Sequence, residues 1–129
     1  MHQEIPGELD ALVKEIVDAA FKVHQALGPG LLESAYQSCL EIELEQRQLP
    51  YAAQCLLPVT YAGVTVADAY RIDLLVDGKV LVELKAVEAL LPVHSAQLLT
   101  YLRLSGQRLG LLINFNVPRI KDGIKRLIL

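Results

Sequence analysis

The sequence predicts an α/β (α+β) fold in which helices pack on a central mixed β-sheet. Three observations predict it. Two N-terminal stretches repeat apolar residues at helical spacing. Three stretches after Pro50 read as a strand meander turning at Ala62-Gly63 and Asp77-Gly78. A further helical stretch opened by Pro92 leads into an apolar run at residues 109–115. A chain of 129 residues has room for one domain with one core, and residues 1–129 are read as such.

Each element follows from local chemistry. Leu9, Leu12, Val13, Ile16, Val17, Ala20, Phe21 and Leu27 form the expected inward stripe of the first helix, which Gly28-Pro29-Gly30 ends. The second helix starts near Leu31 and runs to about Gln48, with Leu32, Ala35, Tyr36, Cys39, Leu40 and Leu44 inward and Pro50 closing it. Strands are expected at residues 53–61, 64–76 and 79–86. The third helix spans residues 93–105, turns Leu98, Leu99 and Leu102 to the core and stops at Gly106. After Pro118 the pattern fits either a short helical turn through Ile120, Ile124 and Leu127 or an edge strand at residues 126–129.

Composition narrows the class. Hydrophobic residues make up 53% and charged residues 21%, with a mean hydropathy of +0.35, above the usual apolar share of a soluble domain. No run reaches the roughly 18 consecutive apolar residues of a membrane span, and Met1-His2-Gln3-Glu4 lacks the features of a signal peptide. A soluble, cytoplasmic protein is the expectation. The spare apolar surface predicts a homodimer through the first helix or Leu127-Ile128-Leu129. Cys39 and Cys55 stand apart with no metal-ligand spacing, so reduced thiols are expected. Net charge is −3, yet residues 103–129 hold six bases against Asp122 alone. That quarter could meet phosphates or simply solvate a face.

The densest chemistry lies in Arg71-Ile-Asp-Leu-Leu-Val-Asp-Gly-Lys-Val-Leu-Val-Glu-Leu-Lys85, which reads as one β-hairpin. Residues two apart on a strand share a face, so Glu83 and Lys85 point the same way. Ile72, Leu74 and Val76 would face the core with Val80, Val82 and Leu84. A two-residue Asp77-Gly78 turn would set Asp73 opposite Val82 and mix the faces. A three-residue loop with a left-handed glycine and a bulge keeps the apolar set together and puts Asp73, Glu83 and Lys85 on one surface. The plainer reading is a solvated face with weak ion pairs.

Three further segments accompany the hairpin: Gly30-Leu-Leu-Glu33-Ser-Ala-Tyr36; His94, Gln97 and Tyr101 at successive helical turns; and Leu111-Leu-Ile-Asn-Phe-Asn116. Helix dipole and packing account for Glu33 and Tyr36 without any site, and a polar surface histidine accounts for His94. Together with the hairpin, the segments resemble the PD-(D/E)XK nuclease superfamily, with Ile72 where the superfamily's name has proline. Within it they resemble the small GxxExxY proteins, from about residue 10 onward.

The resemblance implies a restriction-endonuclease-like core and a Mg²⁺- or Mn²⁺-dependent nuclease acting on nucleic acid, with DNA favoured over RNA. Asp73, Glu83 and the carbonyl of Leu84 would hold the metal, with Glu33 as an additional ligand. Lys85 would orient the attacking water or stabilise the charge that develops. Gln97 and Tyr101 match a Gln-x-x-x-Tyr element of exonuclease-like branches; with His94 and Tyr36 they would contact substrate. The rival reading is a non-catalytic nucleic-acid-binding or protein-interaction module that keeps the fold. Glycoside hydrolysis by paired carboxylates leaves Lys85 unexplained and lacks a tryptophan for sugar stacking.

Overall fold

The computed structural model describes residues 6–129. Helices α1 (Gly7–Leu27) and α2 (Glu33–Gln46) precede strands β1 (Tyr51–Tyr61), β2 (Val64–Val76) and β3 (Val80–Lys85). Helix α3 (Pro92–Ser105) then crosses over to β4 (Leu109–Asn114), and a 3₁₀ turn at Ile120–Gly123 leads into β5 (Ile124–Ile128). The sheet runs in the order β1-β2-β3-β4-β5. β3 and β4 are parallel and the other neighbours antiparallel, so the mixed sheet with flanking helices is as expected. In the tail the helical turn stops at Gly123, so of its expected residues only Ile120 is in it, and Ile124 and Leu127 lie in the edge strand β5. No helix of the described residues is long and apolar enough to cross a membrane.

Both faces of the centre of the sheet are covered. On one, α1 and α2 pack Leu12, Val13, Ile16, Tyr36, Leu40 and Leu44 against Leu74, Val76, Val80, Val82 and Leu84. On the other, Leu98 and Leu102 of α3 close over Ile72, Leu81 and Leu112. Double coverage is why β3 and β4 read as nearly continuous apolar runs and not as alternations. Each fully buried aliphatic side chain contributes about 1.5–3 kcal/mol, so the two layers together fix where β3 can lie.

Several expected contacts differ. Phe21 is exposed because it sits about 140° around α1 from the fully buried Ile16 at 3.6 residues per turn. Leu32 precedes the first turn of α2 and is 77% exposed. The stretch Leu127-Ile128-Leu129 is tied to the core: Leu127 and Ile128 pair with Gly110 and Leu109 and are half-buried, and Leu129 N–H donates to Arg108 O at 2.8 Å, which leaves the Leu129 side chain alone exposed. The homodimer loses the support of that segment. Cys39 and Cys55 are free and half-buried, against opposite layers.

The 3₁₀ turn passes close under the end of β4. A Cβ on Gly123 would run into the carbonyl oxygen of Asn114, which is backbone and cannot swing aside. Gly123→Ala should therefore destabilise the fold by about 2–3 kcal/mol in chemical denaturation; wild-type stability would mean that the turn and β4 are not held together as described.

Candidate functional site

The site begins where the β2–β3 ladder stops. Leu74, Leu75 and Val76 pair with Val82, Leu81 and Val80, so the connection has three residues and odd positions face odd ones. Asp77 and Gly78 are both left-handed, at φ 52° and 63°, and Lys79 N–H closes the turn on Val76 O. The loop length and the register agree with the sequence reading, although the left-handed residue at position 77 is an aspartate.

Beyond Leu74 two carboxylates take the place of ladder bonds. Asp73 N–H donates to Glu83 Oε1 at 2.9 Å, and Leu84 N–H donates to Asp73 Oδ2 at 2.8 Å. Such charge-assisted bonds are worth about 1.5–3 kcal/mol each, and together they lock the two acids to opposite strands. β2 then leaves β3 and continues paired with β1 alone. At this point the side-chain alternation of β2 also reverses. Ile72 joins the α3 layer while Leu74 joins the α1/α2 layer, so the expected set of six apolar residues is really five, with Ile72 on the other side.

Burial sets the charge state. Glu83 is only 7% exposed; that desolvation, with Asp73 nearby, pushes its carboxyl up to about 7, partly offset by the Asp73 N–H bond and by Lys85. Lys85 is half-buried, next to Asn114 in the β3–β4 register, and its carbonyl accepts from Phe115 N–H at 2.9 Å. Glu33, exposed in the first turn of α2, has its carboxyl raised by desolvation and by Asp73, against Lys85. The structure thus gathers Asp73, Glu83, Lys85 and Glu33 in one electrostatic neighbourhood. Among the described residues no group of three or more His, Cys, Asp or Glu is assembled as a metal cluster, so the close acidic pair is Asp73 with Glu83.

Helix α3 supplies the facing wall. Gln97 Nε2 donates to Tyr101 Oη at 2.7 Å. Burial, then the charge of Glu83, raises the Tyr101 phenol. Tyr101 stacks on Tyr70 of β2 with ring centroids 4.6 Å apart, and the buried Tyr70 hydroxyl has no hydrogen-bond partner. His94 is occupied elsewhere, its Nδ1 accepting Leu91 N–H at 3.0 Å to cap α3.

Tyr36 requires a correction. It is fully buried, stacked 4.5 Å from Phe115, and its hydroxyl donates to Gly28 O at 2.6 Å and accepts Leu31 N–H at 3.1 Å. Its ring has no surface to offer a substrate; it fixes the α1–α2 turn from which Glu33 projects.

Two polar residues, Gln37 and Gln54, escaped the sequence reading, and a third, Asn114, stood in the segment 111–116 with no role assigned. Gln37, one turn after Glu33 on α2, donates to Asp73 O at 3.4 Å and to Glu41 Oε2 at 3.2 Å. Gln54 of β1 donates to Gln37 Oε1 at 2.8 Å and to Asp73 Oδ1 at 3.4 Å. Asn114, 1% exposed, bonds both the N–H and the carbonyl of Val87 and so turns the chain away after Lys85. Helical spacing from Glu33 could have found Gln37; no local signal marks Gln54.

A family model of the PD-(D/E)XK nuclease superfamily matches residues 10–127, nearly the whole chain. No curated protein and no solved structure gives a match.

Two outcomes follow from this geometry. In the unfolded chain Glu83 titrates near the ordinary 4.5, whereas in the fold it holds its proton to about 7. The folded state therefore binds more protons between these values, and stability should fall as pH rises through that window, by about 3 kcal/mol in all at roughly 1.4 kcal/mol per unit. Denaturation curves of the metal-free protein measured across pH 4.5 to 7 should show this fall, and Glu83→Gln should flatten it. Tyr36→Phe should cost about 1–3 kcal/mol by removing its hydrogen bonds to Gly28 O and Leu31 N–H while leaving the kinetics of the folded fraction unchanged; a raised KM would restore a substrate role.

Proposed function

The chain belongs to the PD-(D/E)XK nuclease superfamily, and we propose that it is a divalent-metal-dependent nuclease of the GxxExxY type that hydrolyses phosphodiester bonds in DNA. One observation carries the proposal: Asp73 and Glu83 are clasped face to face across the opening between β2 and β3, with Lys85 two residues along the same face.

Nucleases of this superfamily generally use divalent metals such as Mg²⁺. The donor set here fits such an ion. The backbone bonds occupy Glu83 Oε1 and Asp73 Oδ2; Asp73 Oδ1 holds only the long Gln54 contact, and Glu83 Oε2 is uncommitted among the described residues. A residue's N–H and C=O project to the same side of an extended strand. Leu84 gives its N–H to Asp73, so its carbonyl turns to the same opening and supports its assignment as the third oxygen. Hard oxygen donors of this number suit Mg²⁺ or Mn²⁺ with several retained waters. A bound ion of this kind supplies activation of a water and neutralisation of charge on the scissile phosphate.

The remaining roles belong to the chain. Lys85, held on rigid β3, orients the attacking water and meets the charge that grows on the phosphate oxygens. Glu33 adds negative potential at the edge of the acidic pair and tunes the affinity for a cation. Tyr101, fixed by Gln97 and stacked on Tyr70, lines the position for the substrate backbone. His94 can offer Nε2 to a phosphate while Nδ1 caps the helix.

With Mn²⁺ or Mg²⁺ the wild type should cleave DNA. Asp73→Asn, Glu83→Gln and Lys85→Ala should each remove about 10²-fold or more of the rate while remaining folded, and pairs of these changes should cost little beyond one. Glu33→Gln should weaken metal affinity, not abolish turnover. Equal trace cleavage by wild type and Lys85→Ala on single-stranded DNA, duplex DNA and RNA would overturn the nuclease reading and leave a binding module.

A further inference from the structure

Gln54 is an unusual residue at an unusual place. It lies within β1 at φ 51°, a left-handed conformation that costs a non-glycine residue about 1–2 kcal/mol. Its neighbours Ala53 and Cys55 keep regular partners, Leu74 and Ile72. The distortion thus falls opposite Asp73, where β2 reverses its faces. A glycine would provide the same bend without strain. What glutamine adds is an amide.

That amide is used twice. Gln54 Nε2 donates to Gln37 Oε1 at 2.8 Å and reaches Asp73 Oδ1 at 3.4 Å, while Gln37 Nε2 reaches Asp73 O, also at 3.4 Å. Asp73 is therefore held from two directions: β3 takes its N–H and Oδ2, and the Gln37–Gln54 bridge takes its carbonyl and Oδ1. Without the bridge, nothing among the described residues fixes the second carboxylate oxygen. The bridge also joins α2, which carries Glu33 and Gln37 one turn apart on one face, to the β1–β2 ribbon.

We infer that Gln54 and Gln37 are positioning residues, a side-chain bridge that sets the orientation of the Asp73 carboxylate for a divalent cation. The role rests on the nuclease reading above, but the geometry it requires exists without metal. Partners of this kind typically account for 10–100-fold in metal affinity when removed.

The test uses substitutions that tolerate the left-handed backbone, Gln54→Gly and Gln54→Asn, together with Gln37→Leu. Two properties are read: Mn²⁺ affinity by calorimetry, and hydrogen exchange of the Leu84 amide in the metal-free protein, because that amide is held by Asp73 Oδ2. Each variant should stay folded, with left-handed strain relieved in Gln54→Gly, bind Mn²⁺ about tenfold or more weakly, and lose protection at Leu84 while the amides of Val80 and Val82 keep theirs. The Gln37→Leu/Gln54→Gly double variant should cost less than the two single losses added, since Gln37 holds the amide that reaches Asp73 Oδ1. Wild-type affinity with unchanged Leu84 protection overturns the inference, as does an additive double variant. If the wild type itself binds no Mn²⁺, the nuclease reading fails, and Leu84 exchange still decides whether the bridge orients Asp73.

Discussion

The mutual clasp between Asp73 and Glu83 is the interaction on which the rest of this structure depends. Each carboxylate accepts a backbone N–H from the opposite strand, so two side chains stand where ladder bonds would be. The exchange keeps the backbone donors satisfied while prising β2 from β3. One consequence is architectural, since β1 and β2 run on as a two-stranded arm of almost wholly exposed residues beyond Ile72. The other is chemical. Two acids are pinned at the mouth of the opening, each with an oxygen to spare.

Covering both faces of β3 creates the tension in this arrangement. The α1/α2 and α3 layers stabilise the sheet by burying Leu81, Val82 and Leu84, and the same packing strips water from Glu83. The carboxyl in that position is pushed up to about 7, so its ionised form is held in the fold at a cost. Strain at Gln54, on the α2 side, and the unpartnered Tyr70 hydroxyl, on the α3 side, flank the same opening. Local stability has been given up around this opening.

How much of this was legible in the sequence depends on range. The helices and strands were readable because apolar periodicity and Gly or Pro punctuation are local signals, and the hairpin register followed from matching apolar faces across a short loop. The reversal at Ile72 was not readable. It arises from the Asp73–Glu83 clasp and the bent ribbon, and strict alternation assigns Ile72 to the wrong layer. Double coverage of β3 hid behind the same assumption, since Leu75 and Leu81 on the supposedly solvated face were the available hint. Tyr36 and His94 illustrate a different limit. Their spacing places them near the site, but only the structure reveals that Gly28 and Leu31 use the Tyr36 hydroxyl and that α3 uses one nitrogen of His94.

Burial of Glu83 also bears on which cation the proposed site would choose. Where Glu83 is already ionised, folding has met the desolvation of its carboxylate; where it holds its proton, that cost falls on binding. Attraction between charges strengthens as the local dielectric falls, and a doubly charged ion gains twice from each carboxylate what a singly charged ion gains. With Asp73 and Glu83 held by backbone bonds, little side-chain freedom remains to be lost on binding. Bulk monovalent ions, though far more abundant, then compete poorly, and binding must displace the proton that Glu83 retains. Affinity for a divalent ion should accordingly rise with pH until that carboxyl is ionised, linking the same buried group to the stability of the empty fold and to the loading of the site.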